Sequence, residues 1–206
     1  MHKEILTQEQ IRLLPLLKLF SKDFGLVGGT AIALYIGHRK SIDFDLFSNK
    51  PFDNFEIKRK ISRYAQIDNV LKDEEGQYTI TIKGVGFTFF YYPYKIKFSK
   101  NLDDIIKLPS LLILAAMKSF ALGRRAKWKD YIDLYFVMKN HFGIDKIIKK
   151  AGQIFGNEFN EKIFRTQIVY FKDIDYSEKI IYMKNREISD KTIQKELVNF
   201  SLIKML

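Results

Sequence analysis

The sequence predicts an α/β (α+β) protein in which a half built of strands and helices precedes a helical half. Two observations carry this. Up to about residue 108, short β-branched and aromatic runs such as "SIDFDLFS" and "QYTITIK" alternate with helical periods and are punctuated by glycine. From Pro109 onward the period is helical throughout, with no internal repeat or low-complexity tract. The expected organisation is an α/β core over residues 1–108 and a helical region over 109–206 packed on it.

Each element has a local reason. Thr7 and Gln10 stand at capping-box spacing ahead of apolar residues at helical period, which predicts a helix over about residues 8 to 22, with Pro15 as a candidate kink. "LVGG" reads as a short strand ending in glycine, and Thr30 as the cap of a helix, "AIALYIG", that Gly37 ends. "SIDFDLFS" reads as a strand, and "DNFEIKRKISRYA", residues 53 to 65, as an amphipathic helix with a basic outer face. Lys83 and Gly84 form a turn between "QYTITIK" and "VGFTFFYYPY", making a hairpin. Helices are expected at about 110 to 124, 127 to 141, 144 to 155, 159 to 171 and 190 to 204.

Composition bounds the function. A chain of 206 residues with 47% hydrophobic and 15% aromatic content can bury a full core, and 4 prolines with 11 glycines argue against long disorder. Thirty-five Lys and Arg against 24 Asp and Glu leave a charge of +11, which favours an anionic partner such as RNA, DNA, nucleotide or a membrane surface, although lysines that only solubilise the surface give the same count. With no cysteine, disulfides and thiolate metal sites are excluded. "MHKEILTQEQ" is too polar for a signal peptide, and the apolar run "LLILAAM" is far short of the roughly 20 residues that span a bilayer, so a cytoplasmic location without a membrane partner is expected.

The chemistry concentrates in "GGTAIALYIGHRKSIDFDLF", residues 28 to 47. On a strand Asp43 and Asp45 project from one side while Ile42, Phe44 and Leu46 fill the other. Two close carboxylates repel unless a cation lies between them, and a hard divalent ion such as Mg²⁺, which also accepts phosphate oxygens, resolves the conflict. A strand edge with both acids in water or paired to Arg39 and Lys40 is the alternative. Upstream, Gly28 and Gly29 remove side chains at a strand-to-helix turn and Thr30 begins the helix, so free N–H groups and the positive helix end make a phosphate site. In the helical half, Asp130 and Asp133 share a helix face, and Lys118 and Arg125 align if one helix runs through Gly123. A lone Lys118 within "LLILAAMKSFAL" needs a partner. His38 and His141 lack neighbours at metal-ligand spacing, and His38 is expected to contact a phosphate or shape the loop before the strand. Trp128 and the tyrosines 91, 92 and 94 offer stacking surfaces for bases, or core packing.

The pattern G-G-T, then H-R, then S-x-D-x-D-L-F resembles the first motif of the AbiEii/AbiGii toxin family of nucleotidyltransferases, a branch of the DNA-polymerase-β-like nucleotidyltransferase superfamily. "KSFALGRRAKWKDYIDLYFV", residues 118 to 137, resembles that family's second signature, and "QIVYFKDID", residues 167 to 175, is a weaker likeness. The resemblance implies a nucleotidyltransferase-like core whose site the helical region completes. It implies NMP transfer from NTP to an acceptor hydroxyl, with Asp43 and Asp45 holding Mg²⁺ and acting with Lys118 and Asp130 in catalysis. Gly28, Gly29, Thr30, Arg39, Ser41 and Arg125 would bind the nucleotide. It implies a toxin of a toxin–antitoxin or phage-defence pair, with a cognate antitoxin as partner and RNA, specifically tRNA, as acceptor. The chain departs from the superfamily on the later strand "VGFTFFYYPY", which offers Thr88 where a third carboxylate is common; either Asp130 closes the site or metal binding is weaker. That departure motivates two alternatives: a non-catalytic nucleotide- or RNA-binding module, or a transferase acting on a protein hydroxyl.

Overall fold

The capping box forms as spaced: Thr7 Oγ1 accepts from the Gln10 amide at 3.2 Å and Gln10 Oε1 from the Thr7 amide at 3.0 Å, opening helix α1 (Gln8–Lys18). The computed structural model describes residues 1–203. Helix α1 stops four residues short of the expected end, because the chain turns there to bring Phe20 and Phe24 edge-on to Phe89, with centroids at 4.8 and 5.3 Å. Strand β1 (Gly25–Val27) leads directly into α2 (Gly28–Ile36), which ends at Gly37 in the left-handed conformation (φ 66°). Thr30 is therefore inside the first turn and is not the cap: the N-cap is Val27, which has no side-chain capping bond.

Strand β2 (Phe44–Ser48) begins just after Asp43, so Ile42 is 51% exposed instead of filling the core, while Phe44 and Leu46 are fully buried. The Asp53 carboxylate caps α3 (Asn54–Ser62) by accepting from the Phe55 amide at 2.8 Å. The hairpin of β4 (Gln77–Ile82) and β5 (Val85–Tyr91) turns through Lys83 and Gly84, both with positive φ (50° and 73°), the pairing a tight two-residue turn requires. Three strands went unforeseen: β3 (Asn69–Glu74), exposed along most of its length, and the ribbon of β6 (Phe98–Leu102) with β7 (Ile106–Pro109). The main sheet runs β1-β2-β5-β4-β3, antiparallel except for the parallel β2–β5 pair.

The later helices are α4 (Leu111–Leu122), α5 (Trp128–Asn140), α6 (Ile144–Phe155), α7 (Glu161–Gln167) and α8 (Asp190–Ser201). Helix α7 is shorter than expected, and the end of the expected helix 190–204 lies outside the described residues. Helix α4 ends at Leu122 and Gly123 caps it, so no single helix carries both Lys118 and Arg125. Among the described residues no helix is long and apolar enough to cross a membrane.

A buried ionic cluster joins the helices to the α2–β2 connection. The Asp133 carboxylate receives Arg39 Nε at 2.7 Å and Nη2 at 2.9 Å, His38 Nε2 at 2.8 Å and Lys118 Nζ at 3.0 Å. Lys118 also donates to Asp130 Oδ1 at 2.7 Å, and Arg125 Nε reaches Asp130 Oδ2 at 3.1 Å. Burial alone would raise the Asp133 carboxyl, but the Arg39 and Lys118 cations and the bonds from His38 and Arg39 hold it well below the usual carboxylate range. Burial likewise depresses His38, outweighing its bond to Asp133.

Asp133→Asn keeps the shape but leaves Arg39 and Lys118 facing a neutral amide, and is expected to destabilise the fold by about 3–5 kcal/mol in urea titrations. The pH dependence has a definite sign. His38 is charged more readily when unfolded, so stability falls as pH drops below about 6.5; the Asp133 contribution is present above about 3.9 and is lost only as pH falls through its lower folded value. An Asp133→Asn variant as stable as the parent removes this assignment.

Candidate active site

One face of the sheet is packed into the core through Phe44, Leu46, Tyr78, Ile80, Phe87 and Phe89. The opposite face presents the alternate residues, and strand register arranges them in rows. Asp45 lies opposite Thr88, Thr88 opposite Thr79, and Thr79 opposite Lys72. One row along, Phe47 lies opposite Phe90 and Phe90 opposite Gln77. Asp43 lies at the other end, its Oδ1 2.6 Å from where a Cβ on Gly86 would stand. A side chain at Gly86 would displace this carboxylate.

Helix α4 stands across from that face and encloses a cleft of about 510 Å³, a size suited to a small ligand such as a nucleotide. Asp45, Thr88, Gly28 and Lys118 line it together with Arg125, while Phe90, Tyr92, Gln77 and Phe120 line it elsewhere. Burial, and then the neighbouring Asp43 carboxylate, push the Asp45 carboxyl above its usual range, more than Lys118 and the other cations offset. Among the described residues neither Asp43 nor Asp45 has an ion pair, so the expected alternative pairing with Arg39 and Lys40 does not form. Two same-face carboxylates without a partner suit a divalent cation. Among the described residues no third Asp, Glu, His or Cys joins them. Thr88 stands directly opposite Asp45, and Asp130, whose oxygens accept from Lys118 and Arg125, does not group with the aspartate pair among the described residues.

The glycines make room for side chains. Gly28 has φ 72° and a Cβ there would overlap the Asp45 carboxylate; a Cβ on Gly29 would stand 2.5 Å from Arg39 Nη2. Glycine at 28 thus serves both the left-handed turn and the close approach of Asp45. The Thr30 hydroxyl faces Ser41 Oγ at 2.9 Å and also bonds the Asp43 carbonyl, tying the segment that carries the aspartates to α2. Arg39 is buried on Asp133, and its Nη1 donates to the Lys40 carbonyl at 3.0 Å, so each of its three nitrogens has a partner within the protein. Lys118 uses two of its three donors on Asp130 and Asp133 at the cleft wall. Arg125 is 53% exposed, lines the cleft and is bonded to Asp130 through Nε.

His38 is fully buried and does not face a phosphate site. Trp128 is core, its Nε1 donating to Asp190 at 3.0 Å, and Lys127 and Lys129 pair with Glu178. Of the three tyrosines only Tyr92 lines the cleft. Sequence reasoning missed Gln77, Thr79, Phe47 and Phe90; the period-2 alternation of β4 and β5 marks their shared face, but nothing local says that the face stays open.

Residues 16–196 match the model of the family described as the nucleotidyl transferase AbiEii toxin of type IV toxin–antitoxin systems. An uncharacterised protein of Aquifex aeolicus is 34% identical over 159 residues, 73% of this chain and 75% of that protein. The fold is shared with a putative nucleotidyltransferase from Helicobacter pylori (TM-score 0.57, 16% identity, 94% of this chain and 91% of that one). It is also shared with MenT4, a nucleotidyltransferase toxin from Mycobacterium tuberculosis (TM-score 0.59, 11% identity, 93% and 81%). With a family match across most of its length, carrying both the aspartate pair and the Lys118–Asp130 ion pair, the chain belongs to the AbiEii family of nucleotidyltransferase toxins.

Proposed function

We propose that this protein transfers an NMP from an NTP to an acceptor hydroxyl on RNA, with tRNA as the favoured class, in a reaction dependent on Mg²⁺, and that a cognate antitoxin restrains it. The observation that carries the reading is the unpartnered Asp43–Asp45 pair beside a nucleotide-sized cleft with Lys118 and Arg125 on its wall. Asp43 and Asp45 would hold the metal, which when bound polarises phosphate and lowers the pKa of the attacking hydroxyl. The uncapped N-terminus of α2 at Gly28 presents backbone N–H groups to the triphosphate. The third donor of Lys118 and the free edge of Arg125 neutralise charge that grows on the phosphates in the transition state. Asp130 acts by holding both cations, and Arg39, Thr30, Ser41 and Gly29 act by fixing the walls of the site. The +11 charge suits an RNA acceptor. A second reading, a nucleotide- or RNA-binding module without catalysis, is favoured by the absence of a third acid at the pair among the described residues.

The deciding experiment incubates the protein with each radiolabelled NTP, Mg²⁺ and either total RNA or total protein. Label in RNA supports the reading, label in protein redirects it to a protein hydroxyl, and nucleotide binding without transfer supports the module. Asp45→Asn is expected to abolish transfer. It should also raise thermal stability without metal, since ionised Asp45 is disfavoured in the folded state, and Mg²⁺ should raise the melting temperature of the parent but not of the variant. A parent indifferent to Mg²⁺ in both transfer and melting would remove the metal assignment. Arg125→Ala removes one charge-assisted phosphate contact from a half-exposed position, and should weaken NTP binding on the order of tenfold with the fold unchanged; undiminished affinity assigns Arg125 to Asp130 alone.

A further inference from the structure

Beside the aromatic residues of the cleft the open sheet face places an amide and a hydroxyl side by side. Gln77 and Thr79 both line the cleft from β4, and Gln77 Nε2 donates to Thr79 Oγ1 at 3.3 Å. Gln77 lies opposite Phe90, which packs on Phe47 at 5.2 Å, and Phe47 packs on Tyr92 at 5.0 Å. These three rings are only partly buried, so they present a surface on which a flat ring can stack. Leu114, Met117 and Phe120 of α4 also line the cleft. From Asp45 the amide is two strands and one row away, about 12 Å by strand spacing and rise. A nucleotide with its phosphates at Asp45 can extend its base that far.

The bond ties the two side chains into one polar site, and Gln77 Oε1 has no partner among the described residues. Thr79, accepting from the amide, retains its own O–H for a further acceptor. Base edges pair an exocyclic group with a ring nitrogen of opposite polarity: in adenine and cytosine the exocyclic group donates and the nitrogen accepts, and in guanine and uracil the reverse holds. The amide and the hydroxyl each donate and accept, so the order in which the stacked base presents its groups to them decides which class fits better.

We propose that Gln77 and Thr79 form the base-reading pair of the cleft, with the base stacked on Phe90 and Tyr92, and that their hydrogen bonds to the base edge distinguish between these two classes of NTP base. This rests on the nucleotide-transfer reading above. The test is equilibrium binding of ATP, CTP, GTP and UTP with Mg²⁺, and of inorganic tripolyphosphate as a base-free probe, to the full chain. The parent is expected to prefer one class by roughly tenfold or more, the worth of a bidentate amide–base contact. Gln77→Ala and Thr79→Val should bring the four affinities within about threefold of one another, with tripolyphosphate binding and melting temperature retained. Discrimination that survives both substitutions, or a parent that binds all four NTPs equally, overturns the inference and leaves nucleotide transfer standing. A parent that binds no NTP overturns both.

Discussion

Asp133 is the point on which the rest of the structure depends. A fully buried carboxylate is tolerable only when its charge is answered, and here two cations and an imidazole from separate parts of the chain converge on it. Arg39 and His38 precede the segment that carries the aspartate pair, Lys118 comes from α4 and Asp133 from α5, so one ionic cluster sets where the cleft wall stands relative to the sheet. Removing any one member leaves the others uncompensated in a low-dielectric interior, which makes this junction more demanding than apolar packing alone.

That clustering also shapes the cleft's electrostatics. The nearby cations Lys118 and Arg125 are paired with Asp130 and Asp133, which leaves Asp43 and Asp45 near one another without an ion pair of their own among the described residues. Such a pair is unfavourable by itself and becomes favourable when a divalent cation arrives with phosphate oxygens. On the proposed reading, Lys118 and Arg125 face the aspartates from the helical wall of the cleft, an arrangement that suits a metal–triphosphate complex better than either component separately.

Much of this was legible locally. The capping box at Thr7 and Gln10, the hairpin turn at Lys83 and Gly84, the Gly37 helix end and the helical half each follow from short-range rules, and each formed. Strand alternation places Asp45 on the open face, whereas Asp43 precedes β2 and stands beside Gly86. The misses have physical reasons. Strand β3 is mostly polar and exposed, held by its ladder to β4, so it carries no apolar alternation to find. Thr30 is an excellent cap by residue type, but the left-handed Gly28 starts the helix earlier and frees its hydroxyl to tie down Ser41 and Asp43. Lys118 and Arg125 meet through Asp130 across a helix break and not along one helix.

The aspartate pair, the need of a lone lysine in an apolar helix for a partner, and the glycines at the strand-to-helix turn are properties of residue type and spacing, so the amino-acid order settles them. Which acid answers which cation is a question of distances between segments up to 95 residues apart. Only the folded arrangement turned Arg39 inward, gave Asp130 to Lys118 and Arg125, and left one face of the sheet open over Gln77 and Thr79. The reason is that strand alternation says which residues share a face, while the helices packed from elsewhere in the chain decide whether that face is core or cleft.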